Sequence, residues 1–420
     1  MKINEIVKII KENKDISEFT ITQTKKNSRE LFYVLTNLEI NRAVNTQGTS
    51  VEVFVNHGDF KGSSIIVVNV ADDEKSLKKK LKEAVLKARQ VNNPYYPLAD
   101  KQEEVNVKST IKGNLNNIAL KVADAIFKAD VYKDGWINST EIFVTKSLKT
   151  FVSSNGFKHT FENFKIEVEV IPTWSNGKEE FELYKFFTLG NLNYDKATEE
   201  VNEILNLAKD RSVAKTLKDI KLNKKLKVLI KNDMRDRLVE NFAGDLSYRA
   251  NYFKMNHYKK EDVISETPFD LTLRGVKEGC ADSSKFDRDG FVLKDKKVIK
   301  DGKVTSNWGD IRYAYYLKEK PTGNYPIAEI SAKGIDVKDE KHLIIETFSS
   351  PQLEASNGYF GGEIRLARYF DGKKYIPVGG FSISGNIYED AKKMKFSKEK
   401  VLDDGYAGPK YFIFEGLNIF

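Results

Sequence analysis

The sequence predicts an α+β protein: two related α/β sandwich-like units in the N-terminal half, then a β-rich domain built on a curved antiparallel sheet or open barrel. Three observations carry this. Apolar residues recur at helical spacing in four stretches, all before residue 210. Two segments repeat one order of strand, glycine turn, strand and helix. From residue 225 onward helical spacing becomes scarce, glycines multiply and short strand-like runs follow one another.

The four helical stretches come first. Residues 2–13 place Ile3, Ile6, Val7 and Ile10 on one face. Residues 74–91 do the same with Leu77, Leu81, Ala84, Val85 and Ala88, behind Asp72 and Asp73 as candidate N-caps. Residues 116–129 carry Ile118, Val122, Ala125 and Ile126, and residues 195–209 carry Ala197, Val201, Ile204, Leu205 and Ala208. Between them, "VEVFV" (51–55) and "FKIEVEV" (164–170) alternate apolar and polar residues as half-buried strands do. Each repeat has a polar turn ending in Gly48 or Gly156, a strand, a turn at Gly58 or Gly177, another strand and a closing helix. The predicted units are 1–98 and 109–215, separated by "NNPYYPLADKQEE" (92–104), whose two prolines and charged end suit a boundary. The third unit is 225–420. Its strand-like runs are 226–230, 290–295, 311–317, 342–348, 361–370, 381–385 and 411–420, with one principal helix at 233–249.

Composition narrows the function classes. Hydrophobic residues make up 40% and charged residues 31%, the balance of a globular protein. No apolar run approaches the ~18 residues of a membrane span. The N-terminus reads as an amphipathic helix and not as a leader, and the one cysteine, Cys280, allows no intrachain disulfide, so a cytoplasmic location is expected. Lys and Arg exceed Asp and Glu by 69 to 61, a net charge of +8. The densest basic stretch, Arg211 to Arg237, lacks the interleaved aromatics on which single strands stack, which argues against nucleic acid as a partner. The four histidines, His57, His159, His257 and His342, form no local pair. His57 and His159 read as surface or strand-edge residues, and His257 as solvated.

Four segments then resemble one family. "KVLIKNDMRDRLVENFAGD" (227–245) reads as a strand followed by a helix, "PTGN" (321–324) as a turn, "GEIRLARYFDGKKYIPVGGFSISGN" (362–386) as strand, turn and strand with a glycine-rich end, and "DGYAG" (404–408) as a late glycine-rich loop. In that order they resemble the TldD/PmbA (TldE) family of peptidase-related proteins, also known as the "modulator of DNA gyrase" family. The tandem units upstream agree with its N-terminal half. In the family's catalytic TldD branch the helix carries H-E-x-x-G-H and the late loop supplies a cysteine ligand to zinc. Laid over that pattern without a gap, this sequence has Glu240, Asn241, Gly244 and Asp245 on the helix and Ala407 in the loop.

Zinc hydrolysis needs imidazole or thiolate ligands, an open coordination position and a base beside the bound water. The amide of Asn241 is not basic and the methyl of Ala407 donates nothing. Glu240 and Asp245 are separated by about 140° on a regular helix. The resemblance therefore implies a TldE-like chain without zinc, not hydrolytic alone. It implies a TldD-type zinc-bearing subunit or a second copy of the chain as partner, and a peptide held as an added strand. Thr322, Gly323, Asn324, Gly361 and Gly362 are candidate peptide-cleft loop residues. The alternative is a homodimeric peptide-binding scaffold.

Overall fold

The protein is described by a computed structural model that covers residues 1–216, 226–337 and 340–420. The first repeat is α1 (Ile3–Glu12), β1 (Glu18–Val34), β2 (Asn37–His57), β3 (Phe60–Val68) and α2 (Glu74–Ala88). The second is α3 (Leu115–Phe127), β4 (Gly135–Ser153), β5 (Phe157–Ser175), β6 (Lys185–Leu189) and α4 (Tyr194–Ser212). Both run helix, two long strands, a shorter strand, helix. α2 and α4 begin where short polar side chains can take the first free N–H groups: Asp73 accepts from Ser76 at 2.8 Å and Asn193 from Lys196 at 3.1 Å.

The repeats share one nine-stranded sheet because β1 pairs with β4 antiparallel, from Thr20 against Ser153 to Val34 against Ser139. Ile21 faces Val51, Leu31 faces Ile142 and Val144 faces Ile166 across the strands. These residues share one face, and all four helices pack on it. At one end, β6 pairs with β5 alone, so its outer edge is unpaired among the described residues.

The second half contains β7 (Lys227–Ile230), α5 (Asn232–Asp245), α6 (Tyr248–Tyr252), β8 (Phe269–Arg274), β9 (Lys296–Lys300), α7 (Ile311–Leu317), β10 (Ile327–Ala332), β11 (His342–Phe348), β12 (Tyr359–Phe370), β13 (Tyr375–Gly379), β14 (Phe381–Asn386), α8 (Ile387–Asp390), β15 (Tyr406–Pro409) and β16 (Phe412–Glu415), beside shorter strands. A ten-stranded and a six-stranded sheet pack with α5 around one apolar core. Neither sheet closes into a barrel. The larger is mixed rather than purely antiparallel, because β7 runs parallel to β11 and antiparallel to β16.

Four local expectations are corrected. "IRYAYYL" (311–317) is the helix α7, not a strand: Asp310 accepts the Tyr313 N–H at 2.9 Å, and Ile311 and Ala314 are buried three residues apart. Residues 290–295 form only an isolated bridge between Phe286 and Val292, since the Val292 N–H is taken by Gln102 at 2.9 Å. Gly48 lies within β2 opposite Thr24, whereas Gly58, Gly156 and Gly177 do turn at positive φ. The helix expected over 233–249 ends at Asp245, and α6 restarts behind Ser247, whose hydroxyl accepts the Ala250 N–H at 3.1 Å.

The halves meet where α4 lies against the ten-stranded sheet. Arg368 of β12 bonds Asp210 at 2.5 Å, and Arg211 donates to the Arg365 carbonyl at 2.7 Å. Leu366 is buried in the core beneath α4.

Candidate functional site

The C-terminal end of β7 delivers Lys231 into the seam between the halves. Its side chain is 2% exposed and its ammonium lies 2.6 Å from Glu203 of α4 and 2.5 Å from Glu346 of β11. Burial disfavours the charge, but the two carboxylates outweigh it and hold the Lys231 ammonium above its ordinary range. The same contest runs the other way at Glu203: burial pushes its carboxyl up, and Lys231 pulls it down to about 2. The next residue, Asn232, takes a positive φ of 52° and turns the chain into α5.

Along α5, Met234, Leu238 and Phe242 enter the core, while Asp233, Asp236, Glu240 and Gly244 line a cleft of about 1330 Å³. Their steps of three and four residues put them on one helical face. The fully buried Arg235 ties this helix to the late loop. Its guanidinium lies 2.7 Å from Asp236 and 2.7 Å from Asp403, and stacks 4.2 Å from the Tyr406 ring centroid. One guanidinium shared by two carboxylates leaves negative charge in excess. Burial, against the pull of Arg235 and with Asp403 and Glu240 adding repulsion, moves the Asp236 carboxyl up to about 6. Burial likewise moves Asp404 to about 6, with Asp282 and Asp403 adding to it. Trp308, Tyr325 and Tyr406 give the cleft aromatic walls, and residues 184–189, with the unpaired edge of β6, form one side.

Of the residues singled out from the sequence, Glu240 and Gly244 lie on this cleft wall. Asp245 does not. It is buried on another side of α5 and accepts the N–H groups of His257 at 2.6 Å and Tyr258 at 2.8 Å. Asn241 is buried beside Tyr388, with its amide nitrogen unpartnered among the described residues. Ala407 is buried in β15 opposite Glu329. The loop candidates are also structural. Thr322 accepts the Gly309 N–H at 3.0 Å, and the Asn324 N–H donates to Asp287 at 2.9 Å beside Gly323. Gly361 and Gly362 sit inside β12, where a Cβ would fall 2.2 Å from the Ile383 carbonyl oxygen and 2.4 Å from that of Ser350. Glycine is needed there for close strand approach.

Glu240 and Asp245 therefore point apart, and both Asp245 oxygens already accept backbone N–H groups. No group of three or more His, Cys, Asp or Glu among the described residues is placed to hold an ion. This donor set does not fit zinc. The histidines stay apart in function as well. His257 is exposed and stacks on Tyr388 at 3.8 Å. His159, expected near the surface, is fully buried: it accepts the Val105 N–H at 3.0 Å and lies 3.0 Å from the Gly290 carbonyl, among Phe151, Phe157 and Phe286. Cys280 is buried and its thiol is pushed up to about 12 by that burial. Of the basic stretch, residues 217–225 lie outside the described residues, Lys231 and Arg235 are buried in ion pairs, and Arg237 pairs with Asp233 at 3.1 Å.

Sequence reasoning missed Asp236, Asp403 and Asp404. The available signals were the spacing of four between Asp236 and Glu240 and the carboxylate doublet just before Ala407.

Residues 223–419 match the model of the PmbA/TldA metallopeptidase C-terminal domain. No curated protein matches the chain. Among solved structures, TldE from Thermococcus kodakarensis superposes with a TM-score of 0.78 at 15% identity, covering 99% of both chains. Proteins named for modulation of DNA gyrase from Thermotoga maritima and Bacteroides thetaiotaomicron each give a TM-score of 0.78 at 14% identity, over 99% of this chain and 99% and 97% of theirs. With residues 223–419 matched in sequence and the whole length matched in fold, the chain carries a PmbA/TldA-type metallopeptidase C-terminal domain on the fold shared by these structures.

Proposed function

We propose that the chain is a TldE-like, zinc-free subunit that binds peptides and works with a zinc-bearing TldD-type subunit in peptide processing. The observation that carries this reading is the seam cleft. Its volume exceeds the ~300–1,000 Å³ of small-molecule sites, and its wall includes an unpaired strand edge, β6, to which an extended peptide can add through backbone hydrogen bonds. The donor set supports a non-hydrolytic role, since Glu240 and Asp245 face apart and Asn241 supplies no base. Affinity purification from the native host tests the reading. The expected result is co-purification of a second chain carrying H-E-x-x-G-H, with peptide hydrolysis only by the pair. Hydrolysis by this chain alone, or purification without such a chain, would count against it.

One observation favours a homodimeric scaffold as the second reading. Residues 37–48 of β2 pair with β1 but not with β3, and Leu38 and Ile40 are 41% and 47% exposed there. An edge of this length can recruit a strand from another copy. Mass measurement of the purified chain in solution separates the two.

A further inference from the structure

The whole molecule carries a net charge of +8, yet eleven carboxylates and five lysines line the seam cleft, an excess of six negative charges. Four cations outside the lining reduce this excess to two without cancelling it. Lys165 lies 3.8 Å from Asp282, Arg235 holds Asp236 and Asp403, Arg237 lies 3.1 Å from Asp233, and Arg368 lies 3.6 Å from Glu346. Glu199, Glu240 and Asp404 have no ion-pair partner among the described residues, although all three line the cleft. Carboxylates gathered without counterions cost free energy unless a ligand supplies the missing charge.

A second feature points to a ligand independently of charge. Thr188 of β6 is 7% exposed, lines the cleft, and its hydroxyl has no hydrogen-bond partner among the described residues. It stands opposite Glu167, and so on the sheet face of Lys165, which reaches toward Asp282. Its neighbours in the strand, Phe187 and Leu189, point the other way into the core under α4. A buried hydroxyl left unpaired costs free energy and is normally satisfied. Here it borders the carboxylate cluster, on a strand whose outer edge is free.

We infer that the seam cleft selects cationic peptide segments, with Glu240 and Asp404 receiving Lys or Arg side chains and Thr188 hydrogen-bonding the peptide. This rests on the peptide-binding reading above and adds the substrate class. The carboxylates sit on both walls, Glu240 on α5 and Asp404 on the late loop, so alternate side chains of an extended segment lying along β6 meet negative charge. Aromatic walls from Trp308 and Tyr325 also suit a cation, which is attracted to ring faces.

Fluorescence anisotropy tests this with three labelled hexapeptides that alternate Val with Lys, Gln or Glu, at physiological salt. The Lys peptide is expected to bind about tenfold more tightly than the Gln peptide. The preference should fall to within about twofold in the double variant Glu240→Gln, Asp404→Asn. Thr188→Val should weaken the Lys and Gln peptides alike by roughly threefold, the effect of one hydrogen bond. Thermal melting of each variant establishes that it folds, and Glu240→Gln alone, at an exposed position, serves as the conservative form. Equal binding of the Lys and Gln peptides, or a preference that survives the double variant, overturns the cationic assignment and leaves the peptide cleft standing. Binding of spermine, a polycation without a peptide backbone, but of none of the three hexapeptides would sustain the cation site and overturn the peptide reading. No binding by any probe overturns both.

Discussion

Replacing Lys231 with Met should be the most damaging single change at the seam. The ammonium lies against Glu203 and Glu346, and the Glu346 side chain is only 1% exposed. Removing one partner of a buried pair leaves an uncompensated charge and costs about 3–5 kcal/mol. Arg368 stays 3.6 Å from Glu346, which favours the lower end, about 3 kcal/mol. Glu203 adds a pH signature. Its carboxyl is held at about 2 in the folded protein against an ordinary 4.5. Taken at full value, that difference is roughly 3 kcal/mol at about 1.4 kcal/mol per pH unit. The side chain is 33% exposed, however, so screening reduces it to about 1–2 kcal/mol. Because the folded value is depressed, this stabilisation is complete above pH 4.5 and is lost as pH falls toward 2. Urea denaturation should therefore show Lys231→Met less stable by about 3 kcal/mol at pH 7, with the gap about 1 kcal/mol narrower near pH 3. Adding Glu346→Gln should recover at least half of the loss, since the two residues touch. A loss below 1 kcal/mol at pH 7, or one that does not change with pH, would refute the claim that this lysine is held by its two carboxylates.

Other substitutions have equally specific outcomes. Asp245→Ala orphans the N–H groups of His257 and of the buried Tyr258 and should cost about 2–4 kcal/mol in urea, whereas Glu240→Gln should change stability by less than about 0.5 kcal/mol. The imidazole of His159, pushed down by burial, should titrate below its ordinary value of 6.5 by NMR; stability that depends on its neutral form is present above that value and is lost as pH falls below it. A measured value at or above 6.5 would contradict its burial in the aromatic cluster. Gly361→Ala should destabilise by about 2–3 kcal/mol, because its methyl would meet the Ile383 carbonyl, and a neutral effect by thermal melting would contradict that strand approach.

Periodicity found all four N-terminal helices because each buries one apolar stripe against the shared sheet, and short polar caps mark the starts of α2, α3 and α4. The same reasoning failed at 311–317. Its aromatic run looks like a strand, and the deciding residue is Asp310, just outside the run. It failed at 290–295 because a side chain from residue 102 captures the backbone there, a contact no local pattern reveals. At the site, helical geometry already implied that Glu240 and Asp245 diverge, and they do. What the family pattern could not supply was the cleft's true composition. Asp236 and Asp403 come together through Arg235, a fully buried residue of the basic stretch from Arg211 to Arg237.

The most direct test of the account is zinc stoichiometry. The purified chain is equilibrated with excess zinc, dialysed and measured by elemental analysis. Divergent oxygen donors predict no zinc retained. One zinc per chain, lost on Glu240→Gln or Asp245→Asn, would contradict the reading of α5 and with it the non-hydrolytic assignment.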